Sequence, residues 1–523
     1  MINYVEKFDA NRIGMANHAK NIPDRMALIM NDRSFTYLEF DKMTNSLANA
    51  LINEGIAPGD RVAILMHNSP EIMACWAAVG KVAGTPIALN YRFREDELAY
   101  IVNDSESRAL IYGEEFEDIV ERAKPKLEVP SIIYIRQGGA TPTDGTLKLE
   151  TLIEQAPDNT PDTVTHAHQV ASSLVYTSGT TGRPKGVFRN SSNRLNTLLS
   201  YAYNFESTYD DVHLVAGPLY HSAPYGWAAF SLMLGNTVVL MPRFDAEEFL
   251  RLTEKHKATT TWVVPTMLNR IVNLPDQVKN RYDVSSLRVM TVGGESFPFP
   301  LKQKSVEFFG PGRIFEFFGA TENSCVTFLR PEDQLRKPGS CGRPAVGQDI
   351  RLLDENKQDV EIGQVGVLYT KSPFLLDGYY KKPEATEACY YEGYFTVGDM
   401  AYRDEEGYYY IVDRAVDMII SGGVNIYPAE IEETLYHHPA VFDASVIGAK
   451  DPDWGEKIVA FIVLKDGVQL TEDEVISHVG SKLASYKKPK EVYFVDELPY
   501  SPSGKQLKRQ LRQEYEARSR NAS

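Results

Sequence analysis

Between Arg33 and Gly84 the chain switches repeatedly between two hydrophobic periods, and this switching limits the fold more than any other feature. RSFTYLEF (33–40) predicts a strand, and DKMTNSLANALINEG (41–55) sets Met43, Leu47 and Leu51 on one helical stripe that stops at Gly55. RVAILM (61–66) has the unbroken apolarity of a buried strand. PEIMACWAAVGKVAG (70–84) predicts a helix ending at glycine, and TPIALN (85–90) another strand. Strands alternating with helices require a parallel sheet covered on both faces. Similar strands recur at ALIYG (109–113), SIIYIR (131–136), TVVLMP (237–242) and LRVMTVGGE (287–295).

At 523 residues, against roughly 100–200 per domain, the chain must form more than one unit. The pattern changes near IVDRAVDMII (411–420). Beyond it VFDASVIGA, KIVAFIVLK, a helix TEDEVISHVGSKLASY and EVYFVDELPY predict an α+β module of about 110 residues. The expected fold class is α/β: a large, multi-subdomain N-terminal domain with parallel sheets (1–414) and a small, mobile α+β C-terminal domain (415–523). The boundary falls near Arg414 to Val416.

A net charge of -16 argues against general binding to nucleic acid or anionic membranes, which rely on basic surface. Four widely spaced cysteines, Cys75, Cys325, Cys341 and Cys389, form no CxxC pair and predict reduced thiols. The N-terminal stretch lacks the apolar core of a signal peptide. No run of about 18 apolar residues suggests a transmembrane helix, so a cytoplasmic protein is expected.

SSLVYTSGTTGRPKGVFRN (172–190) carries the densest chemical signal. An apolar strand runs into Ser, Thr and Gly and then Lys185. Successive backbone N–H groups in such a loop can form a nest for an anion, hydroxyls add donors, and the lysine brings a mobile charge. The loop is not a Walker A motif, because Pro184 precedes Lys185 and Gly186 follows it. Taken alone, a surface turn of the same composition is an equally ordinary reading.

Five segments together resemble the adenylate-forming family of acyl-CoA synthetases, peptide-synthetase adenylation domains and luciferases. TSGTTGRPKG resembles its phosphate loop, and FFGATEN (317–323) its adenine and magnesium segment. YFTVGDMAYRDEEGYYYIVDR (394–414) is similar to its ribose segment, and DMIISGGVNIYPAEIE (417–432) and YSPSGKQLKR (500–509) to two motifs of the mobile domain. The resemblance implies ATP, Mg²⁺ and coenzyme A as cofactors or co-substrates, and an acid–thiol ligase activity. It implies that Thr177, Ser178, Gly179, Thr180, Thr181, Gly182 and Lys185 cradle phosphates. Gly293, Gly294 and Glu295, with Phe317, Phe318, Gly319 and Ala320, would form the adenine pocket, Phe318 packing on the base. Thr321 would adjoin the α-phosphate and Glu322 would hold Mg²⁺. Asp399 and Arg414 would bind the ribose. Ser421, Gly422 and Gly423 would line the pantetheine path. Lys505, an exposed loop lysine on its own segment's evidence, would be the catalytic lysine of adenylation. Val416 departs from the family's usual lysine or aspartate at the hinge.

AGPLYHSAPYGWAAFSLMLG (216–235) matches the family's substrate-proximal segment, with His221 beside the reacting carboxylate. Tyr225 and Trp227, with Trp262 and Met267 of TWVVPTMLNR, are the expected substrate residues, although aromatics at such positions more often serve the core. Apolar walls with few charges favour a hydrophobic acyl group. Residues 222–235 contain no Asp or Glu to anchor an amino-acid ammonium. Medium- or long-chain fatty acids and bulky acids of the bile or steroid type both remain open. The acceptor is expected to be free CoA, and the basic stretch YKKPK (486–490) is a candidate to meet its phosphates; a separate carrier protein is the alternative. The remaining alternatives are a luciferase-like oxygenase and a non-catalytic nucleotide binder. Oligomeric state is open, a homodimer included.

Overall fold

The structure, a computed structural model, describes residues 13–142, 145–163, 172–177, 184–190, 194–414, 417–421, 424–451, 454–500 and 506–522. Two large sheets dominate the N-terminal part. In the first, Leu147–Lys148, Ile133–Gln137, Ala109–Gly113, Arg61–Leu65, Thr85–Ala88 and Ser172–Thr177 lie side by side and parallel. Lys185–Asn190 and then Gly378–Tyr379 complete that sheet antiparallel. In the second, Met26–Met30, Thr237–Leu240, Val212–Val215, Thr260–Val263, Val289–Val292 and Ile314–Ala320 run parallel, flanked by antiparallel edge strands. The inner strands are buried along nearly their whole length and are mostly apolar, because helices cover both faces.

One element begins earlier than the periodicity suggests. The strand Arg33–Thr36 ends where a helix, Tyr37–Asn53, starts, so YLEF is helical. Thr36 accepts from the Glu39 N–H while the Glu39 carboxylate accepts from the Thr36 N–H. This reciprocal cap stops the strand; its ThrxxGlu spacing is visible in the sequence.

A third, antiparallel sheet containing Gly366–Lys371, Asp399–Arg403 and Tyr409–Arg414 follows. The next described strand, Ile419–Ser421, belongs to a separate sheet with Val424–Ile426, Val441–Asp451, Gly455–Leu464 and Glu491–Phe494. This C-terminal unit has its own core, built on Ile419, Val446, Ile458, Ile462 and Val475. The four cysteines are free, and no described helix is long and apolar enough to cross a membrane.

The helix Phe299–Phe309 docks on the strand Ile314–Ala320 through a buried charge pair. Lys302, with no side-chain exposure, donates to the Glu316 carboxylate at 2.6 Å, and burial pushes that carboxyl above its ordinary range. Removing one partner strands the other charge in the core. Lys302→Met should therefore cost about 3–5 kcal/mol, read as a lower melting temperature, and adding Glu316→Leu should recover most of the loss.

Candidate active site

The parallel order of both sheets sends their strand ends toward a common crevice, where ligands sit in open α/β sheets. Three of the predicted groups meet there. Thr177, the last residue of its strand, donates to Glu322 Oε1 at 3.3 Å, and the Tyr379 hydroxyl donates to the same oxygen at 3.3 Å. Lys185 holds its ammonium 5.0 Å from the Tyr379 ring centroid. One nearly buried carboxylate thus faces a threonine, a phenol and a lysine.

Glu322 is carried by a tight turn. Asn323, fully buried, accepts the Ala320 N–H at 2.8 Å through its side chain. Gly319 crosses Ser324 so closely that a Cβ would stand 1.8 Å from the Ser324 carbonyl oxygen, so only glycine fits. Gly293 likewise lies under the Phe317 ring, where a Cβ would be 2.7 Å away. Thr321 exchanges a hydrogen bond with Ser222 at 3.1 Å, tying the turn to the helix Ser222–Leu234 that begins just after His221.

Beyond Thr321 opens a chamber of about 600 Å³, within the range of small-molecule sites. His221, Tyr225, Trp227, Trp262 and Met267 all line it, so those predicted residues are brought together. Trp76 stacks on Tyr225 at 3.9 Å, and Tyr220 stands edge-on to Tyr91. Gly294, Phe317, Gly319, Ala320 and Thr321 border the same space. Phe318 points to the opposite side of its strand, against Val326, Cys341 and Ile411. Glu295 is half-buried, and its charge reaches Tyr500 of the C-terminal unit.

The chamber walls carry few charges, as the sequence suggests: among the described lining residues these are Arg189 and Asp377. Arg189 was legible: side chains alternate along a strand, so residue 189 shares a face with Lys185. Trp76, Tyr201 and Tyr379 come from segments distant in sequence, where no local pattern marks them.

Asp399 is buried and pairs directly across its sheet with Arg414. Ser421 closes a hairpin register with Val424 and pairs with Gly455. Ser178, Gly179, Thr180, Thr181, Gly182, Gly422, Gly423, Val416 and Lys505 lie outside the described residues. The two flanks of the Lys505 loop are nonetheless joined: Tyr500 bridges to Gln506. The Gln506 amide donates to the Tyr500 hydroxyl at 3.0 Å, and that hydroxyl donates to Asp443 at 2.8 Å. The C-terminal unit also touches the second sheet's cover, where the Phe299 N–H donates to Glu433 at 3.0 Å.

A metal fits this site in one way. No group of three His, Cys, Asp or Glu residues is gathered among the described residues, so there is no protein cage. A single carboxylate beside hydroxyls suits Mg²⁺, which keeps waters and shares substrate phosphates.

Residues 15–380 match the model of the AMP-binding enzyme family, and residues 430–505 match that of the AMP-binding enzyme C-terminal domain. The chain is 34% identical to a long-chain-fatty-acid–CoA ligase, FadD13, of Mycobacterium tuberculosis, over 93% of this chain and 94% of that protein. It is 35% identical to a feruloyl-CoA synthase of Amycolatopsis sp, over 95% and 97%. A solved structure of o-succinylbenzoate CoA synthetase (MenE) from Bacillus subtilis, in complex with an acyl-adenylate intermediate, superposes with a TM-score of 0.82. It is 31% identical, covering 95% of this chain and 97% of that one.

Behind the chamber wall His213 faces Trp227 and bonds Thr260 at 3.0 Å. Burial lowers its pKa from 6.5 to about 4, Asp211 opposing in part, and Asp211 is itself held by Arg288. The folded protein therefore keeps this histidine neutral where the unfolded chain binds a proton. Its contribution, roughly 3 kcal/mol, is complete above pH 6.5 and is lost as pH falls toward 4. The melting temperature should drop across that window, and His213→Gln should flatten the drop.

Proposed function

The chain belongs to the AMP-binding enzyme family, and from that premise we propose that it is an AMP-forming carboxylic acid–CoA ligase acting on an acid with a hydrophobic body. In the first half-reaction a carboxylate oxygen attacks the α-phosphorus of ATP, and the bond to pyrophosphate breaks. In the second, the CoA thiol gives up its proton, its sulfur attacks the acyl carbon, and AMP leaves. The obstacle in the first step is the approach of two anions, which calls for fixed cations and donors.

The observation that carries this reading is the junction of two environments at Thr321. On one side stand Glu322, Thr177 and Lys185; on the other, the aromatic chamber with His221 at its border. Lys185, with Ser178, Thr180 and Thr181, would hold the β and γ phosphates. Glu322 would hold Mg²⁺, which when bound neutralises phosphate charge. Asp399 and Arg414 would bind the ribose, and the glycines 293 and 294 the adenine. Lys505 would bridge carboxylate and α-phosphate. For the second step the C-terminal unit would turn about the segment near Val416, bringing Ser421 to Gly423 to the pantetheine arm. Trp227, Trp262, Tyr225 and Met267 support a hydrophobic acyl body, and leave fatty and aromatic acids both admissible.

The test is to incubate the protein with ATP, Mg²⁺, CoA and a panel of fatty, aryl and bulky polycyclic acids, and to weigh the products. An acyl-CoA with equal AMP is expected; acyl-AMP alone would overturn the CoA assignment in favour of a carrier protein. Lys505→Ala should slow pyrophosphate release by ~10²–10³-fold. Supplied with acyl-AMP and CoA, the same variant should form thioester within a few-fold of the parent rate.

A further inference from the structure

Among the described residues no carboxylate forms an ion pair with Arg189. This arginine projects from the strand Lys185–Asn190, opposite Ser173 of the neighbouring strand, and lines the chamber. Its Nε and one terminal nitrogen are buried with no hydrogen-bond partner among the described residues. A guanidinium cannot shed its charge, and a buried charge left unpaired is expensive.

The protein's own carboxylates do not answer it. Glu322 and Asp377 are the acidic groups whose charge reaches Arg189. Glu322 Oε1 already accepts from Thr177 and Tyr379. Both oxygens of Asp377 accept from Asn190, through its backbone N–H at 2.8 Å and its side-chain amide at 2.9 Å. Lys185, the phosphate cation, is rooted at the far end of the same strand. Thr177 pairs with Lys185, Val175 with Val187 and Ser173 with Arg189, so Lys185 and Arg189 share one face. At about 3.3 Å per residue they are rooted some 13 Å apart. The tyrosines Tyr201 and Tyr390 also lie within electrostatic reach of Arg189, and Tyr201, Leu198, Phe374 and Leu375 line the chamber it enters.

We propose that Arg189 is a specificity residue that binds a second carboxylate on the acyl substrate, remote from the carboxylate that is activated. The planar fork of the guanidinium matches a carboxylate through two parallel N–H···O bonds. The aromatic walls take the carbon skeleton between the two acid groups. This inference rests on the ligase reading and narrows its substrate class to diacids with a hydrophobic middle.

The experiment uses the full chain and matched pairs of acids: decanoate with decanedioate, and 4-phenylbutyrate with 4-(4-carboxyphenyl)butyrate. Two quantities are read, kcat/KM for acyl-CoA formation and acid binding by tryptophan fluorescence without ATP, since Trp76, Trp227 and Trp262 line the chamber. The diacid of each pair should be preferred by roughly 10²-fold or more, the size of effect a buried charge pair produces. Arg189→Met should remove or reverse that preference, and Arg189→Lys should keep part of it. An equal loss on both members of a pair, or a raised KM for ATP alone, would show that Arg189 serves the reacting carboxylate or the phosphates and would overturn the inference. Monoacids preferred by the parent protein, with an unchanged variant, would also overturn it while leaving the ligase intact. Conversely, if no acid yields acyl-CoA yet the parent binds diacids and Arg189→Met does not, the ligase reading fails and the carboxylate site stands.

Discussion

The tight turn from Gly319 to Ser324 is the constraint on which the site depends. It ends a strand of the second sheet, and its conformation is forced by a backbone contact that admits no side chain at position 319. The buried Asn323 closes it from within. The turn then reaches outward in three directions. Glu322 meets Thr177 and Tyr379 of the first sheet, while the Glu322 carbonyl receives the Leu376 N–H at 2.8 Å. Thr321 meets Ser222 at the start of the chamber helix. Two independently built sheets are therefore registered against each other by half a dozen residues, and preorganisation of this kind is what electrostatic catalysis needs.

Charge is distributed along the crevice in the same economical way. The protein is strongly acidic overall, yet the strand beside the crevice carries Lys185 and Arg189 on one face. A polar end with a carboxylate, hydroxyls and an ammonium gives way within a few residues to stacked aromatics. That gradient suits chemistry in which a polar triphosphate and a carbon-rich acid meet at one atom. The paired flanks of the Lys505 loop show how the small unit contributes. Tyr500, Gln506 and Asp443 form a half-buried clamp, so the described flanks of the loop are tied to the C-terminal unit.

Much of this architecture was legible in the chain. The alternation of strand and helix periods predicts parallel sheets, and the strands 61–65, 85–88, 109–113, 133–137, 237–240 and 289–292 lie where their apolar runs predict. Tyr37 to Phe40 were misassigned because an apolar–polar alternation outweighed the ThrxxGlu cap beside it. Of the candidate site, the residues that line the chamber within one segment, His221, Tyr225 and Trp227, could be anticipated together. Trp76 and Tyr201 could not be weighed in the same way, since each belongs to a different element.

By itself, then, the sequence determined the elements, the two-unit organisation and the chemical groups, because periodicity, capping and loop composition act over a few neighbouring residues. Only the tertiary structure decided that two guanidinium nitrogens of Arg189 are buried with no hydrogen-bond partner among the described residues, that Asp377 is already engaged by Asn190, and that Gly319 must be glycine. Those facts depend on which distant atoms come within a few ångströms, and local propensity carries no record of that distance.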